Sequence, residues 1–245
     1  MALLWQYQVK DQHYEVRSAG QTRRLYRNGV MHTSYHPGQR LSGSVWDLLF
    51  LPVLHHPRRR DALKVLVLGV GGGAVIRMLL HYFPQFVITG VEIDAVHLQI
   101  AEKYFGLTHK NLTLVEASGP DWLRQTRQSF DIIIEDMFIE TNKEPVRLMD
   151  QKIDWLVTLN RHLKKDGQLI INHADSREAG WTVKQLKPTY CDKGQLSSWR
   201  TLLLQNKIIC ASQFTQTAFI RHLKTEPDLI TRYYQGKLTF QRQAI

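Results

Sequence analysis

The hydrophobic positions change their period along the chain. Over the first forty residues they form short β-prone runs, Tyr14–Val16, Arg24–Tyr26 and Val30–Ser34, punctuated by Ser18-Ala19-Gly20 and Asn28-Gly29. Asn-Gly is a strong two-residue hairpin signal because both positions tolerate positive φ. Residues 1–43 are therefore expected to form a small β-hairpin unit, and residues 44–245 a larger domain. His36-Pro37-Gly38 breaks the chain, and Val45–Leu54 reads as an apolar helix stopped near Pro57.

From Lys64 the pattern alternates between strand-sized apolar runs and helical spacing. The runs Val65–Leu68, Val87–Val91, Leu112–Val115, Ile132–Glu135 and Leu169–Asn172 are expected strands. Helices are expected between them at Ala74–Tyr82, Ala95–Tyr104, Asp121–Arg127 and Leu148–Leu163. The last would end at Lys164-Lys165-Asp166-Gly167, where cations and a glycine suit a helix C-terminus. Apolar strands separated by helices predict a parallel sheet covered on both faces. Trp199–Leu204 and Lys207–Ala211 look like an antiparallel hairpin at the sheet's end, Phe219–Leu223 like a last helix, and the final twenty residues like a loosely held tail. The fold class is thus α/β, a doubly wound, mostly parallel seven-stranded sheet with an antiparallel terminal hairpin.

Composition changes this picture little. The chain has 245 residues, 43% of them hydrophobic, enough for a sizeable core. Its two cysteines, Cys191 and Cys210, form no CxxC pair, and no His cluster has metal-ligand spacing, so no metal is expected. The N-terminus lacks a basic segment followed by an apolar one, and no run approaches the ~18 apolar residues of a membrane helix, so the expected location is the cytoplasm. The net charge of +10 gathers in patches such as Arg58-Arg59-Arg60. Charge alone leaves a nucleic-acid partner open, but no nucleic-acid motif accompanies it.

The chemistry centres on Leu68-Gly69-Val70-Gly71-Gly72-Gly73-Ala74, directly after a strand and opening a helix. Glycines let the backbone turn sharply and approach a ligand, and a helix N-terminus offers unpaired N–H groups. Glu92 follows about 20 residues on, at the next strand's end, where a carboxylate can accept ribose hydroxyls. The pattern also fits NAD. Two features favour a sulfonium nucleoside instead. Ile93, between Glu92 and Asp94, can cover an adenine face, and the fourth strand ends in Glu135-Asp136, negative charge suited to a cationic ligand end. Asp136 is the candidate general base, and Glu135 is expected on the opposite face by strand alternation.

The run VLVLGVGGGAVIRMLLHYFP…ITGVEID…AEKYF…FDIIIEDMF resembles the spermidine/spermine synthase family, aminopropyltransferases with the fold of the S-adenosylmethionine-dependent methyltransferases. The similarity in order and spacing extends from about residue 20 to about residue 212. It implies a cofactor site of Gly69, Gly71, Gly72, Gly73, Glu92, Ile93, Asp94 and Ser118, with Asp136 catalytic. The implied ligand is S-adenosylmethionine or its decarboxylated form, leaving S-adenosylhomocysteine or methylthioadenosine. Several family positions are replaced here. The loop Asp that holds the ligand's amine falls at Gly72, a Tyr-His pair at Ser44 and Val45, an adenine-contacting Asp at Ser118, and the second acid of the Asp-x-x-Asp pair at Ile139, with Glu140 beside it.

The function expected from the sequence is transfer of an aminopropyl or methyl group to an amine acceptor, with a small-molecule substrate and a homodimer as partners. The alternatives are a nucleoside-binding protein that no longer transfers, and a methyltransferase acting on an anionic substrate such as nucleic acid. His55, His56 and His173 are weaker candidates, and Trp46, Trp155 and Trp181 are expected to pack the core or its rim.

Overall fold

A computed structural model describes residues 1–140, 145–147, 153–192, 194–202, 204–216 and 219–245; the side chains of 139–140 and 145–147 are not described. The first four strands, β1 (Ala2–Val9), β2 (Gln12–Ala19), β3 (Thr22–Arg27) and β4 (Val30–Tyr35), form an antiparallel sheet in chain order. Its inner face follows from alternation along β2 and β3. Tyr14, Val16 and Leu25 are buried, and they pack on Ile100 and Phe105 of a helix in the following fold.

A short helix, α1 (Val45–Phe50), runs into a 3-10 turn, Leu51–His55, which Pro52 suits because its ring fixes φ and it donates no N–H. The larger fold then alternates β5 (Lys64–Leu68), α2 (Ala74–Tyr82), β6 (Val87–Glu92), α3 (Ala95–Phe105), β7 (Leu112–Glu116), α4 (Gly119–Gln125) and β8 (Phe130–Glu135). A small β9 (Phe138–Glu140) and β10 (Pro145–Arg147) pair follows, then α5 (Ile153–Arg161), β11 (Leu163–His173) and α6 (Ser176–Leu186). The chain closes with β12 (Leu196–Arg200), β13 (Lys207–Ser212), α7 (Phe219–Leu223), α8 (Pro227–Tyr234) and β14 (Gln241–Ala244).

The main sheet has the order β14-β12-β13-β11-β8-β5-β6-β7. Strands β7, β6, β5, β8 and β11 are parallel, and β13 runs against β11. The order reverses between β5 and β8, and in such folds the crevice beyond the strand ends at that point is where ligands bind. Both faces are covered, so the middles of the central strands carry continuous apolar runs. Val65, Val67, Ile132, Ile134 and Ile170 face one core, and Leu66, Leu68, Ile133, Leu169 and Ile171 face the other.

Three expectations are corrected. The helix expected at Leu148–Leu163 ends at Arg161, and its residues 148–152 lie outside the described residues. Leu163 already pairs with Phe130, so Lys164–Gly167 form an irregularity inside β11 rather than a helix end. That bulge is anchored by Lys164, whose Nζ lies 2.7 Å from Asp131. The chain's last twenty residues are not a loose tail. Helix α8 buries Leu229, and β14 adds to the edge of β12 as an eighth strand.

The Arg58–Arg60 run is internal wiring. Arg58 pairs with Asp131 at 2.5 Å, and Arg60 pairs with Glu226. Among the described residues no helix is long and apolar enough to cross a membrane.

Candidate active site

The glycine loop and the end of β8 meet at the point where the strand order reverses. The Asp136 backbone N–H donates to the Leu68 carbonyl at 2.8 Å. Gly69 has φ +84°, and a Cβ there would collide with the Asp136 carbonyl oxygen, so glycine is required on both counts. These contacts bring Asp136 beside the loop, as the sequence spacing implied.

Asp136 extends the Ile132, Ile134 face of β8, the side covered by α1. Its Oδ1 accepts a hydrogen bond from Asn172 Nδ2 at 2.7 Å, and the Trp46 indole donates to the same carboxyl group. Asn172 Oδ1 in turn accepts from Asn206 Nδ2 at 3.1 Å, which fixes which way the amide points. Burial pushes the Asp136 carboxyl up to about 7, helped by the neighbouring carboxylates of Glu135 and Glu92 and opposed by Asn172 and Trp46. Glu135 lies on the opposite face, fully buried, where its Oε1 accepts from the Met137 N–H at 3.3 Å. Asp131, at the far end of β8, is remote from this crevice; burial raises its pKa, but hydrogen bonds from Lys164, the Lys64 N–H and Arg58 outweigh that and hold it low.

Glu92 ends β6 and is 7% exposed. Its Oε2 accepts from the Val70 and Gly71 N–H groups, both at 2.9 Å, and its Oε1 from the Asp94 N–H at 3.0 Å. A carboxylate offers about four acceptor positions, so one remains on Oε1. His97 Nδ1 stands 3.9 Å from that atom. Ile93 projects from the same strand end, 64% exposed. Asp94 caps α3 through the Val96 N–H at 2.9 Å and accepts from the Tyr14 hydroxyl at 2.7 Å. Ser118 stands at the N-cap of α4, half-buried, with no capping bond from its side chain.

The N-terminal sheet presses on this loop from above. Gly72 donates its N–H to Thr33 Oγ1 at 2.7 Å, and Thr33 is fully buried. The remaining loop donors are also taken, Gly69 by the Val91 carbonyl and Gly73 by the Val70 carbonyl. His32 and His97 rings lie 4.8 Å apart beside Glu92. Residues 14, 32 and 33 carried no motif and were missed in the sequence. The signal for Thr33 was indirect: a glycine where the resembling family has an acid marks a place where something else needs the space.

His55 and His56 are buried against Trp199, Phe219 and Phe214, a packing role, and burial drives His56 down to about 4. Trp155 and Trp181 pack in the second core and Trp46 in the first, from where its indole reaches Asp136. His173 is buried on the Glu135 side of the sheet. The side chains of Ile139 and Glu140 lie outside the described residues. Among the described residues, no group of three His, Cys, Asp or Glu is placed to hold a metal ion.

The sheet order, the loop and the strand-end acids define the class of fold, a doubly wound, mostly parallel α/β sheet with a glycine loop at the point where its strand order reverses. The family model for the spermine/spermidine synthase domain matches residues 47–188, more than half of the chain, and the chain belongs to that family. A probable polyamine aminopropyl transferase of Bifidobacterium longum is 27% identical over 112 residues, 46% of this chain and 24% of that protein. An eEF1A lysine and N-terminal methyltransferase homolog of Drosophila melanogaster is 38% identical over 88 residues, 34% of this chain and 13% of that protein. The matches thus span about a quarter or less of these relatives' length. Among solved structures, a probable spermidine synthase from Corynebacterium glutamicum superposes with a TM-score of 0.76 at 17% identity, covering 100% of this chain and 91% of that one. Human methyltransferase-like protein 13, in complex with SAH, gives a TM-score of 0.58 at 21% identity, covering 77% of this chain and 90% of that one. At these identities the structures establish a shared fold.

Proposed function

We propose that the chain transfers an aminopropyl or methyl group from a sulfonium nucleoside to an amine acceptor, with Asp136 receiving the acceptor's proton. The observation that carries this reading is the Asp136 carboxyl itself, set beside the glycine loop with a pKa near 7. A base works best when its pKa lies near the working pH, because it is then both largely ionised and able to take a proton.

The residues present suit such a ligand. Glu92 keeps one acceptor position for a ribose hydroxyl, exposed Ile93 offers an apolar face for adenine, and Ser118 stands free of a capping bond at the neighbouring strand end. S-adenosylmethionine, or its decarboxylated form, supplies an electrophilic carbon beside a sulfonium. Asp136 accepts the proton that an ammonium must lose before its lone pair can attack. Asn172 and Trp46 hold that carboxyl in one orientation. The aminopropyltransferase name of the Bifidobacterium relative and the SAH held by the human neighbour support this class of ligand.

One observation favours a second reading, a nucleoside-binding protein that does not transfer. All five loop N–H groups are committed to protein acceptors, and Thr33 fills the space beside Gly72 where the family carries an acid. The readings separate on incubation with either sulfonium nucleoside and a panel of diamines and protein amines. Formation of methylthioadenosine or S-adenosylhomocysteine, lost in Asp136→Asn, supports transfer. Nucleoside binding with no product from any acceptor supports the second reading.

A further inference from the structure

A second concavity lies away from the strand ends, between the N-terminal sheet, the connector to α1, α2 and the loop after α3. It has a volume of about 390 Å³. Among the described residues, three arginines, Arg24, Arg40 and Arg77, and three histidines, His36, His81 and His109, line it, and no Asp or Glu does. Carboxylates around it are engaged by other groups, Asp47 by the Ser42 N–H and hydroxyl and the Gly43 N–H, Asp228 by the Tyr82 hydroxyl and Glu226 by Arg60. One-sided charge of this kind inside a concave wall focuses a positive potential.

Arg77 is the centre of the arrangement. Its guanidinium lies over the Tyr35 ring at 4.5 Å, and Nη1 donates to the Gly72 carbonyl at 2.9 Å and to the Phe105 carbonyl at 3.2 Å. Nη2 is buried with no hydrogen-bond partner. Enclosure lowers the Arg77 pKa to about 10, so the folded chain holds a charge there with no anion to offset it. Because Nη2 is closed to solvent, Arg77 acts on the cavity through its charge rather than through a direct contact. The hydroxyl of Ser34 on the same wall adds a neutral polar group, whereas that of Ser42 is donated to Asp47 at 2.6 Å.

We propose that this cavity is a binding site for a small phosphorylated molecule, with Arg24 and Arg40 at its mouth and Arg77 supplying positive charge from its inner wall. Guanidinium groups match phosphate oxygens in paired hydrogen bonds, and a cavity of this volume holds a ligand of sugar-phosphate size. The site stands apart from the proposed transfer centre and does not depend on that reading. Arg77 joins the two, because the same side chain holds the carbonyl of Gly72.

The test is calorimetric titration of the full chain with inorganic pyrophosphate, ribose 5-phosphate and citrate in low-phosphate buffer, and with a 20-nucleotide single-stranded DNA. Arg77 supports the loop and its replacement can unfold the protein, so the diagnostic variant is Arg24→Ala/Arg40→Ala, both at the mouth. The expected result is sub-millimolar binding of pyrophosphate or ribose 5-phosphate, weakened at least tenfold in the double variant, with S-adenosylhomocysteine binding unchanged. Four results overturn the proposal: no binding of any phosphorylated probe at 1 mM; binding that the double variant leaves intact; citrate as the tightest probe; or DNA that binds more tightly than the small probes and displaces them.

Discussion

Thr33 of the N-terminal sheet and Gly72 of the glycine loop are in direct contact. The Thr33 hydroxyl oxygen accepts the Gly72 N–H at 2.7 Å, and a Cβ on Gly72 would lie 2.8 Å from the threonine's Cβ, Cγ2 and Oγ1. The N-terminal sheet thus occupies the space that a side chain at position 72 would need, and Gly72 and Thr33 form a matched pair.

Gly72→Asp, which installs the acid found at this loop position in the resembling family, is therefore expected to destabilise the fold by about 1–3 kcal/mol through overpacking. Thr33→Ala in the same chain is expected to return part of that loss. Urea denaturation of the single and double variants checks this. Equal stability of Gly72→Asp and the parent chain would show that the sheet yields at no cost.

The raised pKa of Asp136 sets both a rate profile and a stability profile. Transfer is expected to rise with pH through about 7 as the carboxyl ionises, and to fall by roughly 10²–10⁴ in Asp136→Asn. Between the ordinary aspartate range and about 7, the folded chain holds a proton that the unfolded chain has released. Stability from this group therefore declines as pH rises across that window. Asp136→Asn is expected to abolish that decline, so its melting temperature relative to the parent should be higher at pH 8 than at pH 4.

Asp131 shows the opposite sign. It is 2% exposed and held by Arg58, Lys164 and the Lys64 N–H, so its pKa is lowered in the fold. Its contribution is present above the ordinary aspartate range and is lost as pH falls through the lower, folded value. Asp131→Asn is expected to cost about 2 kcal/mol at neutral pH, from lost charge-assisted hydrogen bonds. The difference should vanish in denaturation curves taken at low enough pH.

Much of this arrangement was legible in the residues. The strands Val65–Leu68, Val87–Val91 and Ile132–Glu135 announced themselves because burial on both faces demands continuous apolar runs. The glycine loop, Glu92 and Asp136 followed from their positions at strand ends. Asn172 and Trp46 did not, because an amide and an indole acquire a role only from the carboxylate that tertiary packing brings to them. Strand β14 was hidden for a related reason: Gln241–Ala244 pairs through its backbone at a sheet edge, where side chains need no apolar pattern. The extension of β11 back to Leu163 was likewise masked by Lys164 and Lys165, which read as the cations of a helix end.

The most direct test of a sulfonium-nucleoside site is calorimetry on the parent chain and on Glu92→Gln, titrated with S-adenosylmethionine, its decarboxylated form, methylthioadenosine and NAD. Glu92 holds the loop through Val70 and Gly71 and carries the acceptor assigned to ribose. The expected result is micromolar binding of at least one sulfonium nucleoside or its thioether product, weakened tenfold or more in Glu92→Gln, with NAD weaker than any of them. Tightest binding by NAD, no binding by any of the four, or affinity untouched by Glu92→Gln would contradict it.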